Sequence, residues 1–228
     1  VKPSAHSAYE VGDEPLLLAG VLPTVVSKKR LQGAQFAARQ GAQVIIMDDG
    51  FQNPYVHKTF SFAVVDGKRG FGNGRLVPAG ALREKPADGF ARAQAIIVIN
   101  PTDKQPALPA EKPVLTATTN PDESAQKLKG KKVFAFCGLA YPQKFFDTLK
   151  ALGADVREER TFPDHYQYRE AELDELATQA KLQDALLVTT SKDAARMSAR
   201  TRSLVTVVQV SLEFDDSSRL TALLDGIV

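Results

Sequence analysis

Val44-Ile45-Ile46-Met47-Asp48-Asp49-Gly50 joins four apolar residues to two adjacent carboxylates and a glycine. A run of this length, apolar on both sides, is sized for a strand buried in a parallel sheet, and it predicts a strand over 43–47. Open α/β sheets bind ligands beyond the carboxyl ends of their strands, which is where Asp48 and Asp49 fall. Carboxylates in that place hold Mg²⁺, directly or through water, while the metal bridges phosphate oxygens. The stretch therefore points to an α/β enzyme of magnesium-nucleotide chemistry. It also reads as an ordinary solvated turn, because Asp-Gly is a common turn pair.

Outward from this stretch, short β-branched runs alternate with helical patterns, as in α/β proteins. Helices are expected over 14–21 and 28–40, with a short strand at 24–27 between them and Gly41 as the second helix's stop. Strands are expected at 60–65 and 95–99. Between them lies a glycine-rich stretch, Gly67 to Gly80, too long for a simple turn and so a candidate for function. Residues 101–130 read as a connector containing one strand, 113–117. A second α/β unit opens with strand 132–136, turns at Gly138 and enters a helix from Pro142 to Leu152, with proline in the first helical turn and Gly153 past the end. Strand 155–161, helix 169–182, strand 185–190, a short helix 192–198, strand 204–210 and a helix over 217–228 follow. The expected partition is a core lobe over 1–100, the connector over 101–130 and a smaller α/β lobe over 131–228.

The 228 residues are 43% hydrophobic and 25% charged, ordinary for a globular chain. Twenty-nine basic against 27 acidic residues give a formal charge of +2, which speaks against a nucleic-acid partner held by phosphate attraction. The single cysteine, Cys137, excludes an intramolecular disulfide and a Cys-rich zinc site, and it reads as a small buried apolar residue. No stretch approaches the roughly 20 apolar residues that span a bilayer, and no signal peptide opens the chain. The first residue is Val1, not Met, and an N-terminal piece is expected to have been removed. No basic amphipathic stripe is evident, so weak membrane binding is expected of these residues alone.

Further motifs each carry two readings. Asp13, in Gly12-Asp13-Glu14-Pro15, suits a helix start, with Pro15 in the first turn. Asp66-Gly67-Lys68-Arg69-Gly70-Phe71-Gly72-Asn73-Gly74-Arg75 offers N–H groups and cations suited to phosphate, or else forms a flexible hairpin. His165, in Phe162-Pro163-Asp164-His165-Tyr166, can move a proton near neutral pH or merely precede a helix. Thr189-Thr190-Ser191-Lys192-Asp193 fits a ligand-facing strand end and a capped helix start equally well. Arg83-Glu84 reads as a phosphate contact or a surface ion pair.

Taken in order, these segments, together with Leu76-Val77-Pro78-Ala79-Gly80-Ala81-Leu82-Arg83-Glu84 and Gly138-Leu139-Ala140, resemble one family, tetraacyldisaccharide 4'-kinase, the lipid A 4'-kinase of Gram-negative bacteria. The similarity runs from about residue 9 to the C-terminus. It implies a P-loop-NTPase-like parallel sheet flanked by helices with a second, smaller α/β lobe. It further implies phosphorylation, with ATP and Mg²⁺, of the 4'-hydroxyl of an acylated glucosamine disaccharide 1-phosphate at the cytoplasmic face of the inner membrane. By position, Asp13 matches the family's catalytic aspartate and His165 its partner, to be contributed across a cleft from the second lobe. Asp48 and Asp49 match the metal pair. Arg30, Arg75, Arg83 and Asn73 become candidates for substrate or phosphate, and Gln52 and Lys192 for the nucleotide.

Two departures qualify the resemblance. Family members carry a membrane-associating helix and a P-loop ahead of this segment, yet no Gly-x-x-x-x-Gly-Lys-Ser/Thr occurs in these 228 residues. Little or no turnover is therefore expected of them alone. Asn53 stands where many members have histidine, and it cannot titrate. The alternatives are a degenerate lipid-sugar-binding or regulatory domain and another Mg²⁺-dependent glycosyl- or nucleotidyltransferase.

Overall fold

The computed structural model describes residues 1–227. In chain order the elements are α1 (Ala8–Val11), α2 (Asp13–Ala19), α3 (Arg30–Arg39), β1 (Phe62–Asp66), α4 (Pro86–Arg92), β2 (Ala95–Ile99), β3 (Val114–Pro121) and α5 (Glu123–Gln126). They continue as β4 (Lys132–Cys137), α6 (Pro142–Ala151), β5 (Asp155–Thr161), α7 (Glu170–Leu182), β6 (Leu186–Thr190), α8 (Ser191–Ala194), α9 (Ala199–Arg202), β7 (Thr206–Val208), β8 (Val210–Phe214) and α10 (Ser217–Asp225). The mixed α/β class, with parallel sheets flanked by helices, is as expected. The helix expected to reach residue 228 ends at Asp225, and residue 228 itself lies outside the described residues.

The chain forms two compact units, both discontinuous: 1–26 with 121–211, and 27–120 with 212–228. This differs from the sequential partition at 100 and 130. The reason lies in the first turn of α2, where Asp13 is bound to Arg196 and so belongs with the later part of the chain.

The first unit holds a parallel sheet in the order β5-β4-β6-β7. Along β4 the side chains alternate between faces. Val133, Ala135 and Cys137 pack with Phe145, Phe146 and Leu149 of α6, while Phe134 and Phe136 pack with Leu173, Leu176 and Ala180 of α7. Both faces are thus apolar, as a strand covered on each side by helices requires. From β4 the chain passes through α6 to β5 on one flank, then through α7 to β6 on the other. Connections therefore leave the carboxyl ends of β4 and β6 in opposite directions, which makes that end of the sheet its topological switch point.

The second unit holds a sheet in the order β1-β2-β3-β8. β1, β2 and β3 are parallel. Asp122 N bonds Gln209 O and Asp215 N bonds Thr116 O, so β8 runs antiparallel to β3. Its core is small: Val65, Phe90, Ile96 and Val98.

Two expected strands do not form. Residues 24–27 and 43–47 form no strand and lie outside both sheets. Val44, Ile45 and Ile46 are 52%, 43% and 81% exposed, so the run expected to be buried is not. Apolar composition favours a strand only when a neighbour supplies the ladder bonds. Among the described residues β1 bonds β2 alone, and the far edge of that sheet is taken by β8.

Candidate active site

In the first unit the loops at the switch point converge on one carboxylate. Asp13 begins α2 and is 7% exposed. Its Oδ2 accepts from Arg196 Nη2 at 2.6 Å and Arg196 Nε at 3.1 Å, and His165 Nδ1 lies at 3.2 Å. Arg196 follows α8, and its side chain is 1% exposed. Its Nη1 donates to Gly138 O at 3.2 Å and to Asp193 Oδ1 at 3.1 Å. His165 sits in the left-handed region, φ 57°, within the loop between β5 and α7, and its side chain is largely exposed. Asp164 Oδ1 accepts its backbone N–H.

Asp193 supports this cluster from beneath. It is fully buried and accepts hydrogen bonds from Gly138 N (2.9 Å), Tyr168 Oη (2.8 Å), Thr190 Oγ1 (2.6 Å) and Arg196. Burial, with the Asp193 charge beside it, pushes the Tyr168 phenol far above its usual range, so it stays a donor. Gly138 has no room for a side chain: an added Cβ would stand 2.9 Å from Pro163 O and 3.1 Å from Tyr168 Oη. The nearby Cys137 thiol is pushed up to about 12, chiefly by burial, which makes it inert, as its apolar reading expects.

Burial alone would raise the pKa of Asp13, but the hydrogen bonds and charge of Arg196, with His165, hold it below the ordinary aspartate value. A carboxylate whose folded pKa is depressed contributes stability that is present above its unfolded value, about 3.9, and lost as pH falls through the lower folded value. Chemical unfolding midpoints measured from about pH 5 down to pH 3 should accordingly fall faster for the wild type than for Asp13→Asn, which has no charge there to lose.

The second unit carries the other expected residues. Asp48 and Asp49 form an exposed turn, and Asp49 Oδ1 accepts from Arg83 Nη1 at 2.7 Å. Among the described residues no group of three or more His, Cys, Asp or Glu is placed to hold a metal. Gln52 Nε2 donates to Glu84 Oε1 at 2.9 Å, Arg92 Nη2 donates to Glu84 Oε2 at 2.6 Å, and the Arg92 guanidinium lies 5.1 Å from the centroid of the Phe51 ring. Arg83 and Glu84 are thus partners of other residues and not of each other. The glycine-rich loop is tied down by Asn73, whose Nδ2 donates to Ala79 O and whose Oδ1 accepts from Arg75 N. Gly80 passes so close that a Cβ would meet Asn73 Oδ1 at 2.2 Å. This is an organised loop, not a free hairpin. Arg30 opens α3.

The structure therefore brings together Asp13 with His165, Asp49 with Arg83, and Asn73 with the backbone of Arg75. Asp13, expected in the lobe with the acidic pair, lies instead in the unit that holds His165. Lys192, expected at the nucleotide, pairs with Glu14. Thr190 caps α8, so the capped-helix reading of its motif holds, while Asp193 of the same motif joins the buried cluster. Sequence reasoning missed Arg196 and Tyr168. The one available signal was Asp193–Arg196, an acid–base pair three residues apart.

Residues 1–228 match the family model described as LpxK, tetraacyldisaccharide-1-P 4'-kinase. The chain belongs to this family. Tetraacyldisaccharide 4'-kinase of Rhodospirillum centenum is 47% identical over 227 residues, covering 98% of this chain and 67% of the relative. That of Rhodospirillum rubrum is 46% identical over 234 residues, covering 100% and 71%. The crystal structure of an "apo" form of LpxK from Aquifex aeolicus in complex with ATP superposes with a TM-score of 0.76 at 28% identity, covering 98% of this chain and 71% of that one. The family seen in the motifs is thus borne out over the whole chain. Among the described residues no helix is long and apolar enough to cross a membrane.

Proposed function

We propose that this chain supplies the acceptor-activating part of a kinase that transfers the γ-phosphoryl of ATP to the 4'-hydroxyl of an acylated glucosamine disaccharide 1-phosphate, acting at the cytoplasmic face of the inner membrane. The observation that carries this reading is the Asp13–His165 contact at the switch point of a sheet, in a chain of the tetraacyldisaccharide 4'-kinase family. Phosphoryl transfer asks for positioning and charge stabilisation more than covalent chemistry, together with a group to receive the acceptor hydroxyl's proton. Asp13 is ionised and within reach of an imidazole that can share the charge change, which suits it to that part.

Mg²⁺ would be held by Asp48 and Asp49. Two exposed carboxylates fit an ion that keeps most of its waters and shares phosphate oxygens, with Asp49 also answering to Arg83. When bound, the ion neutralises phosphate charge. Arg75, Arg83, Arg30 and Asn73 are the groups for substrate or transferred phosphate, and Gln52 and Lys192 those for the nucleotide.

Incubation with ATP, Mg²⁺ and tetraacyldisaccharide 1-phosphate, followed by mass spectrometry, tests the reading. Protein expressed from the gene's complete reading frame should add one phosphate, at the 4' position, whereas the 228 residues alone should give little product. A nucleotide or sugar on the product would turn the reading to a transferase of another class. Tight binding of the disaccharide without turnover by the complete protein would favour the binding domain.

A further inference from the structure

Among the described residues three side-chain contacts reach the Asp13 carboxylate, and all three end on the same oxygen. Arg196 Nη2, Arg196 Nε and His165 Nδ1 meet Oδ2, and Oδ1 takes none of them. Arg196 is not a surface arginine that happens to reach a carboxylate. It is buried, and its remaining nitrogen, Nη1, is fixed to the Gly138 carbonyl and to Asp193. The guanidinium thus ties α2 to the ends of β4 and β6 through a rigid planar group, and it leaves the carboxylate only a small arc in which to turn.

Resting on the reading of Asp13 as the proton acceptor, we propose that Arg196 is a positioning residue that pins Oδ2 of Asp13, so that Oδ1 is the oxygen that takes the proton of the acceptor hydroxyl. In that step the hydroxyl O–H bond breaks and its proton goes to Oδ1. The hydroxyl oxygen forms the new O–P bond as the bond from phosphorus to the nucleoside diphosphate breaks. Misplacement by about 1 Å costs on the order of 100-fold in such steps, so a clamp of this stiffness has kinetic weight. The clamp also sets the charge of its partner. The groups around Asp13 are Arg196 after α8, His165 and Asp164 from the loop after β5, Asp193 behind Arg196, and the exposed Lys192–Glu14 pair. Arg196 is the buried cation among them.

The test compares Arg196→Lys, Arg196→Gln and Asp13→Asn in the complete protein. Arg196→Lys keeps the charge without the fork, and it should lower kcat at least tenfold with KM for the disaccharide within about threefold. In Arg196→Gln the acidic limb of the kcat profile should also move to higher pH, because Asp13 has lost its cation. An Arg196→Lys enzyme with wild-type kcat, beside an inactive Asp13→Asn, would overturn the clamp and leave the proton acceptor standing. An active Asp13→Asn would overturn the acceptor itself. Where the Arg196 variants do not fold, wild-type NMR decides. The Arg196 Nε–H should resist exchange, and its resonance should move as Asp13 is protonated. A freely exchanging Nε–H that ignores this titration sinks the proposal.

Discussion

Asp13→Asn should lower kcat in the complete protein by about 10²- to 10⁴-fold, the range over which a positioned general base acts. Asparagine keeps the size and can still accept from Arg196 and His165 through its amide oxygen. It cannot take a proton at the acceptor's oxygen, and its amide would present N–H where Oδ1 stands. KM for the disaccharide should change little, because the loss falls on an interaction used only as the bond to phosphorus forms. Circular dichroism and the unfolding midpoint separate this from damage to the fold. Removal of the charge leaves Arg196 facing Asp193 alone, so a modest loss of stability is expected beside the much larger loss of rate. A kcat within threefold of wild type would refute the role given to Asp13.

What could be read ahead of the structure divides along physical lines. Strand Asp155–Thr161 falls where it was expected, and β4, β6, α6 and α7 fall within a residue or two, because local period and end signals decide them. The run 43–47 failed for the opposite reason. Its composition favours a strand, but strand formation depends on a neighbour that local sequence does not reveal. Among the site residues, Asp13 and His165 were found only through the order of motifs, since each alone is an adequate helix start. Their contact at a separation of 152 residues is a property of topology. Arg196 was not found at all: a single arginine after a short helix carries no sign of being buried.

Asp193→Ala should cost about 3–5 kcal/mol of stability, the range for breaking a buried ion pair by removing one partner. For a chain of this size each kcal/mol lowers the melting temperature by roughly 2–4 °C, so a fall on the order of 10 °C is expected. The magnitude follows from what is abandoned. Gly138 N, Tyr168 Oη, Thr190 Oγ1 and Arg196 Nη1 all donate to this one side chain, and alanine would take that acceptor from all four, leaving Arg196 Nη1 only the Gly138 carbonyl. Asp193→Asn should do less harm. Its amide oxygen can stand in for Oδ1, which takes three of the four bonds, while its N–H₂ meets the Thr190 hydroxyl, which can turn to accept. The ordering Ala worse than Asn therefore tests the hydrogen-bond pattern and not merely the charge. Asp155→Ala is the contrasting case. Its bond to Arg157 measures 2.5 Å, no longer than those of Asp193, yet both side chains are about half exposed and the pair is expected to contribute under about 1 kcal/mol. Because Asp193 fixes Arg196, and Arg196 fixes Asp13, the alanine variant should also lose turnover at temperatures where it remains folded. A variant that melts within 2 °C of wild type would show that the cluster is supported from elsewhere.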